Sequence, residues 1–427
     1  MLLPLVLTAL AAPLSTPHAL DHARHSGADH VVPAPLASVP PPADGPTPDM
    51  TVYGYHAYWT GDPTDLNWEQ LTHVAIFDVE LNSDGTLSST DNWTDVAGSV
   101  VPIAHSYGVK VHVCVISFDD DVQASVLSSP SKRAVAIAEL KALVEDYGAD
   151  GVNVDVEGLD SDLTTDFVDF IKELHDEVGE VYIATPAVDW LGAWDYSELA
   201  ANSEGLFIMG YGYHWTGGDP GPNDPLYGED PWSDYSLEWT IDDYIAFGAP
   251  VDKIVLGLPL YGQEWPADHN VPGDATDDGW SVVMSTAIED AAENGELYDQ
   301  PTRSPYTLPS GTQLWYPTNE SVRLRIAFAR DRGLQGVGFW ALDYEGEDFW
   351  PMVAEETTFD EPSDTAADTA PVDSDTDPAD TDSGDQQAQV LGPETPSGCG
   401  CATSGGGSLG GFALGLLGLA LARRSTS

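Results

Sequence analysis

Asp150-Gly151-Val152-Asn153-Val154-Asp155-Val156-Glu157 alternates polar and apolar residues with a period of two. Side chains on a β-strand point to opposite faces in turn. Asn153, Asp155 and Glu157 therefore share one face, and Val152, Val154 and Val156 the other. An isolated Asp-x-Glu pair also occurs at loop edges, helix caps and cation sites, so the surrounding pattern has to decide its meaning. Three polar groups on a buried face are costly unless each has a partner or a task. Asp155 and Glu157 are same-face neighbours, and their mutual repulsion keeps one of them protonated to a higher pH than a free carboxyl. Such an acid can protonate a leaving oxygen. Glu157, nearest the strand end, is the residue placed to do so.

Working outward, this segment is one of eight strand-like apolar runs between Thr51 and Trp350: TVYGYHAYW, THVAIFDVEL, VKVHVCVISF, DGVNVDVEG, VYIATPAVDW, GLFIMGYGYHW, KIVLGLPLYG and GVGFWALDY. Helical patterns fall between most of them, around 95–107, 131–147, 163–178, 236–248 and 319–331. SKRAVAIAELKALVEDYG carries apolar residues at helical spacing and a glycine stop. Strands alternating with helices in this number predict an α/β fold, a (β/α)8 TIM barrel. The stretch from Gln263 to Pro317 shows no simple helix pattern. It reads as a small insertion between strand seven and the last helix. In a barrel of this kind the site lies at the C-terminal strand ends. Asp78 and Glu80, Glu157, Asp189 and Trp190, Tyr211 and Tyr213, and Trp340 all fall there.

The ends of the chain differ in character. Residues 1–20 read as a secretory signal peptide, although no Lys or Arg precedes the apolar run. Residues 21–50, rich in Pro, Ala and His, read as a flexible leader. The barrel is expected over 51–353. Residues 354–398 read as a disordered acidic stalk of Asp, Thr and Pro, since no Lys or Arg lies between Arg332 and Arg423. Residues 399–427 join Cys399 and Cys401 to an apolar run and Arg423-Arg424.

The chain of 427 residues has a formal charge of −57, which excludes nucleic acid as a partner because phosphate would be repelled. Its 13 Trp and 17 Tyr fit either a large core or a groove of flat rings for sugar faces. With three Cys, neither a disulfide framework nor a zinc site is expected. Cys114 reads as a small buried hydrophobe. His56, His73 and His214 are expected to be structural, and no metal is expected.

The motif Asp-Gly-x-Asp-x-Asp-x-Glu, here DGVNVDVE with Asn153 in its first variable acid position, resembles the signature of glycoside hydrolase family 18, the chitinase-like family. IMGYGY, LGLPLYGQEW and GVGFWALDYEG resemble that family's strands six, seven and eight. The combination is closest to the branch of spore-cortex-lytic and chitobiase-like proteins. The family's Ser-x-Gly-Gly on strand three is replaced by CVISFDDD. The C-terminal tail resembles the Cys-plus-apolar-plus-Arg sorting tails of myxobacterial surface proteins. That likeness implies a secreted protein held at the outer cell surface by its tail.

The family resemblance implies substrate-assisted, retaining hydrolysis of β-linked N-acetylglucosamine glycans, either chitin-type oligomers or peptidoglycan. This chemistry stands outside the two-carboxylate scheme. Glu157 would be the acid, Asp155 would hold the acetamido N–H, Tyr211 would bond the acetamido oxygen, and Asn153 would orient Asp155. Trp340 would be the floor of the sugar site. Tyr55, Met209, Tyr213, Trp190 and Trp265 are the further substrate-binding candidates, with Trp59 and Trp215 as flanking stacks. No cofactor is implied, and a monomer is expected. The alternative reading is a catalytically weak or inactive carbohydrate-binding surface protein.

Overall fold

The computed structural model describes residues 16–34, 48–269 and 271–359. Most of the signal-peptide reading, the stalk beyond Phe359 and the whole tail lie outside the described residues. Among the described residues no helix is long and apolar enough to cross a membrane.

Eight parallel strands close into a barrel. They are β1 (Thr51–Ala57), β2 (His73–Leu81), β3 (Lys110–Ser117), β4 (Gly151–Val156), β5 (Val181–Pro186), β6 (Gly205–Met209), β7 (Ile254–Pro259) and β8 (Gly336–Trp340). Each pairs with its neighbours in sequence, and β1 closes the ring by pairing with both β2 and β8. Every residue of β4, β6, β7 and β8 is buried. That follows from a sheet covered by helices outside and filled by its own side chains inside.

The helices form where the periodicity places them: Asp91–Ser106, Pro130–Tyr147, Thr164–Val178, Leu237–Ala246 and Asn319–Asp331. Pro130–Tyr147 ends at Gly148, whose φ of 68° lets its N–H reach Val144 O. Asn319–Asp331 begins with a capping box between Thr318 and Ser321. Among the described residues five helices escaped the sequence reading: Met284–Asn294 in the insertion, and Pro17–His25, Asp120–Leu127, Tyr196–Ala201 and Phe349–Thr357. The last of these corrects the domain boundary at 353. Thr357 is fully buried, its hydroxyl donates to Val353 O, and its carbonyl accepts from Asp49 N.

The insertion after β7 builds a second sheet against the barrel. Strands Trp280–Val283, Tyr261–Pro266, Thr312–Trp315, Ser304–Thr307 and Leu297–Asp299 form an antiparallel sheet in that order. Helix Met284–Asn294 packs on it through Ala287 and Ala291, against Leu314 and Tyr316. Small alanines on the buried face gave little apolar period to read.

Inside the barrel, Phe207 of β6 forms a platform beneath the site. It fits because β7 and β8 present glycine there. A Cβ on Gly338 would lie 2.3 Å from the Phe207 ring, and one on Gly257 would lie 2.4 Å away. Tyr55 rests edge-on against Phe207, with centroids 4.8 Å apart. Below this layer, Tyr53 donates to His112 Nδ1 at 2.8 Å. His112 and His73 approach Glu180 through Nε2 at 3.1 and 3.4 Å, and Lys110 joins the same carboxylate at 2.5 Å. His73 is structural in the way its sequence context suggested.

Candidate active site

The strand period places Asn153, Asp155 and Glu157 at the C-terminal end of β4, and all three are buried. Asn153 Oδ1 accepts from the Cys114 thiol on β3 at 3.3 Å. That contact follows from the Cys114–Asn153 register between the two strands. Glu157 is held by its backbone: its N–H reaches Ser117 O, and its carbonyl accepts from Gln123 Nε2 at 2.7 Å. Gln123 belongs to a short helix that the sequence reading did not find. It also donates to Ser117 O, so it ties the ends of β3 and β4 together.

Both carboxyls are pushed well above the ordinary carboxylate range. Burial is the first cause for each, and the charge of Asp155 adds to it at Glu157. The sequence argument named only the repulsion, but the larger effect is the loss of water. Asp78 at the end of β2 follows the same logic. Burial, then the charge of Glu80, pushes it up to about 7, while Asn92 donates to its Oδ1 at 3.0 Å.

Around the acid pair stand the aromatic groups that the strand ends supply. Tyr55, Tyr211 and Trp340 are each buried, and Met209 lies beside Tyr211. Among the described residues Asn153 Nδ2, Asp155 Oδ1 and Tyr55 Oη find no hydrogen-bond partner. Buried polar atoms are seldom left unpaired. Three on or beside the acid strand leave hydrogen-bonding capacity that a polar ligand could use. A cleft of about 670 Å³ opens beside them, lined by Glu157, Trp190, Tyr211, Tyr213, Trp215 and Trp232 among others. Trp190 and Trp215 present their rings to solvent, as stacking surfaces must. The Tyr213 ring lines the cleft while its hydroxyl is bonded to Thr240 Oγ1 at 2.6 Å.

One assignment needs correction. Trp265 is 1% exposed inside the insertion and does not line the cleft, so it cannot stack on a sugar. Its place in an apolar-polar strand of the insertion, rather than at a barrel strand end, explains this. Asp189 is a turn residue, its carboxylate accepting from Ala193 N and Trp194 N.

The signal peptide expected over 1–20 and the flexible leader expected over 21–50 instead meet within one helix, Pro17–His25, seated in the site, and residues 16–34 together are here the leader. His18 is fully buried. Its Nδ1 lies 2.8 Å from Asp155 Oδ2 and its Nε2 2.5 Å from Tyr211 Oη. Burial pushes the imidazole down to about 4. A neutral ring that donates from Nδ1 and accepts the tyrosine proton at Nε2 satisfies both contacts. His18 and Ala19 direct backbone N–H groups at Glu157, at 3.2 and 3.5 Å. Sequence reading missed His18, and the available signal was PHALDHARH, with histidines at helical spacing behind a proline. Among the described residues, two sets bring metal-capable atoms within 4.8 Å of one another: His18 with Asp155 and Glu157, and His22 with Asp78 and Glu80. Both take their imidazole from the leader, and in the first the ring nitrogen is already bonded to Asp155.

The barrel has known counterparts. Residues 51–345 match the glycosyl hydrolases family 18. The chain is 28% identical over 245 residues to YdhD of Bacillus subtilis, named a sporulation-specific glycosylase, covering 53% of this chain and 54% of that protein. It thus spans about half of that relative's length. It is 26% identical over 345 residues to human di-N-acetylchitobiase, covering 70% of this chain and 80% of that one. The solved Group IV chitinase of Ostrinia furnacalis superposes with a TM-score of 0.67 at 19% identity, over 72% of this chain and 98% of that one. Because the family match runs the length of the barrel, acid pair included, the chain belongs to the glycosyl hydrolases of family 18.

Proposed function

We propose that this protein hydrolyses β-linked glycans containing N-acetylglucosamine, by a retaining mechanism in which the substrate's own acetamido group is the nucleophile. The observation that carries this reading is the placement of the two acids. Asp155 and Glu157 are two residues apart on one strand face, with carboxylate oxygens within 4.8 Å of each other. Side by side, they cannot flank a sugar from opposite faces, as the two carboxyls of an ordinary glycosidase do. The second reactive group must come from elsewhere, and the unpaired polar atoms beside Asp155 suit an acetamido group.

In the reaction, the Glu157 carboxylic acid gives its proton to the glycosidic oxygen as the bond from that oxygen to the anomeric carbon breaks. The acetamido oxygen closes on the anomeric carbon and forms an oxazolinium ion. Asp155 accepts the acetamido N–H and offsets the positive charge. Tyr211 donates to the acetamido oxygen. Water then adds to the anomeric carbon, its proton passes to Glu157, and the ring opens to the hemiacetal. Trp340 forms the floor under the sugar. Asn153 cannot carry a proton and serves by fixing its neighbours. The signal-like N-terminus and the sorting-like tail support action outside the cell, at its outer surface.

The test is Glu157→Gln, with sugar release from N-acetylglucosamine oligomers and from peptidoglycan followed by mass spectrometry. A loss of roughly a thousandfold is expected for removal of the general acid. Unchanged release would refute the assignment, and binding without turnover even when the docked His18 helix is displaced would favour a carbohydrate-binding protein instead.

A further inference from the structure

We propose that the catalytic cleft is also a binding site for a histidine-bearing peptide helix, and that residues 16–34 of this chain are its ligand, holding the enzyme latent until they are displaced. The proposal rests on reading the cleft as a glycosidase site.

Helix Pro17–His25 is nine residues long, too short to persist alone in water. Its order must come from docking. The docked face is not apolar, as a core helix would be. It is formed by His18, Asp21, His22 and His25, at helical spacing, while Ala23 and Arg24 on the other side are exposed. Each inward residue meets a group that the proposed chemistry uses or that lines the site. The His18 ring is stacked on Trp340, where the sugar ring belongs, with centroids 3.7 Å apart. Its two nitrogens occupy Asp155 and Tyr211, the partners assigned to the acetamido N–H and oxygen. Asp21 accepts from Trp340 Nε1 and Tyr344 Oη, each at 3.1 Å. His25 lies flat on Trp59, at 4.6 Å and 8° from parallel.

The helix also lacks a cap of its own. Thr16 makes no side-chain capping bond, and the free N–H groups of the first turn point at the Glu157 carboxyl. The barrel supplies the cap, and in doing so engages the acid. These contacts together reproduce a bound amino sugar with peptide groups. A substrate could enter the open half of the cleft beside Trp190 and Trp215, but the place of its reacting sugar over Trp340, against Asp155 and Tyr211, would already be filled.

Three measurements test this. The amino terminus of the secreted protein should lie at or before Thr16, and a start beyond His18 overturns the proposal. In the full chain, the variant His18→Ala/Asp21→Ala/His25→Ala should hydrolyse N-acetylglucosamine tetramer with kcat/KM raised at least tenfold, and an unchanged or lower value overturns it. A synthetic peptide of residues 16–34 should bind that variant in calorimetry, while the same peptide carrying His18→Ala should not. Absence of heat up to millimolar peptide, or equal binding of both peptides, overturns it. Should no form turn over any substrate, the glycosidase reading fails while the calorimetry still decides whether the cleft holds the leader.

Discussion

The imidazole of His18 lies on the indole of Trp340, ring centroids 3.7 Å apart and planes 23° from parallel. A flat ring in that place shows that the floor of the site is shaped to hold a ring at van der Waals distance. Trp340 is itself fixed from below by Tyr55 and from the side by Phe77, at 5.5 and 4.9 Å.

Trp340→Ala should lower kcat/KM for N-acetylglucosamine oligomers about tenfold to a hundredfold, mainly through KM, for loss of a large aromatic contact. Steady-state kinetics in the leader-displaced background checks this. A change in kcat alone would mean that the ring acts on the chemistry instead.

Tyr211→Phe removes a hydroxyl whose hydrogen-bond partner is His18 of the leader. The barrel should remain folded. Turnover should fall by about tenfold to a hundredfold with KM little altered, because the hydroxyl orients the acetamido oxygen for attack on the anomeric carbon. A fall in thermal stability matching the loss of activity would point to a structural role.

The pH dependence follows from the acid pair. Burial raises both Asp155 and Glu157, and Asp155 raises Glu157 further. The folded state thus retains protons that the unfolded chain releases, so the pair's contribution to stability falls as pH rises from the ordinary carboxylate range, about 4, toward neutrality. Glu157→Gln should make that decline shallower, measured as urea unfolding at pH 5 and pH 8. Identical slopes in the two proteins would show that the pair is not coupled as described.

At the other end of the barrel the sign reverses. Burial alone would raise Glu180, but hydrogen bonds from His112 and His73, with Lys110, outweigh it and leave the carboxyl below its usual range. Its contribution is complete above the unfolded value and is lost as pH falls toward the folded one. Glu180→Gln should cost roughly 1–3 kcal/mol at pH 7, and the gap to the unaltered protein should narrow in acid. A constant gap from pH 3 to pH 7 in denaturant unfolding would contradict this.

The barrel was legible because its strands are buried on both faces and so read as apolar runs, and because Asn153, Asp155 and Glu157 break one run at every second residue. Tyr211 and Trp340 could be placed because they stand at strand ends. Trp265 misled because an aromatic residue after a strand looks the same whether it lines a cleft or fills a subdomain. Helix Met284–Asn294 was hidden by its alanines. His18 was hidden for a different reason. The polar face of its helix is the buried one, and hydrophobic periodicity cannot find a segment docked on a polar, aromatic cleft. Gln123 gave no signal at all, since its work is done through the backbone carbonyls of Ser117 and Glu157.

The most direct measurement is proton NMR of the first product formed from N-acetylglucosamine tetramer, recorded before the anomers equilibrate, with the leader displaced. Attack by the substrate's acetamido oxygen, followed by water on the opposite face, gives the β-anomer first. Appearance of the α-anomer first would mean that water attacks directly, and that Asp155 and Tyr211 do not hold the acetamido group as a nucleophile.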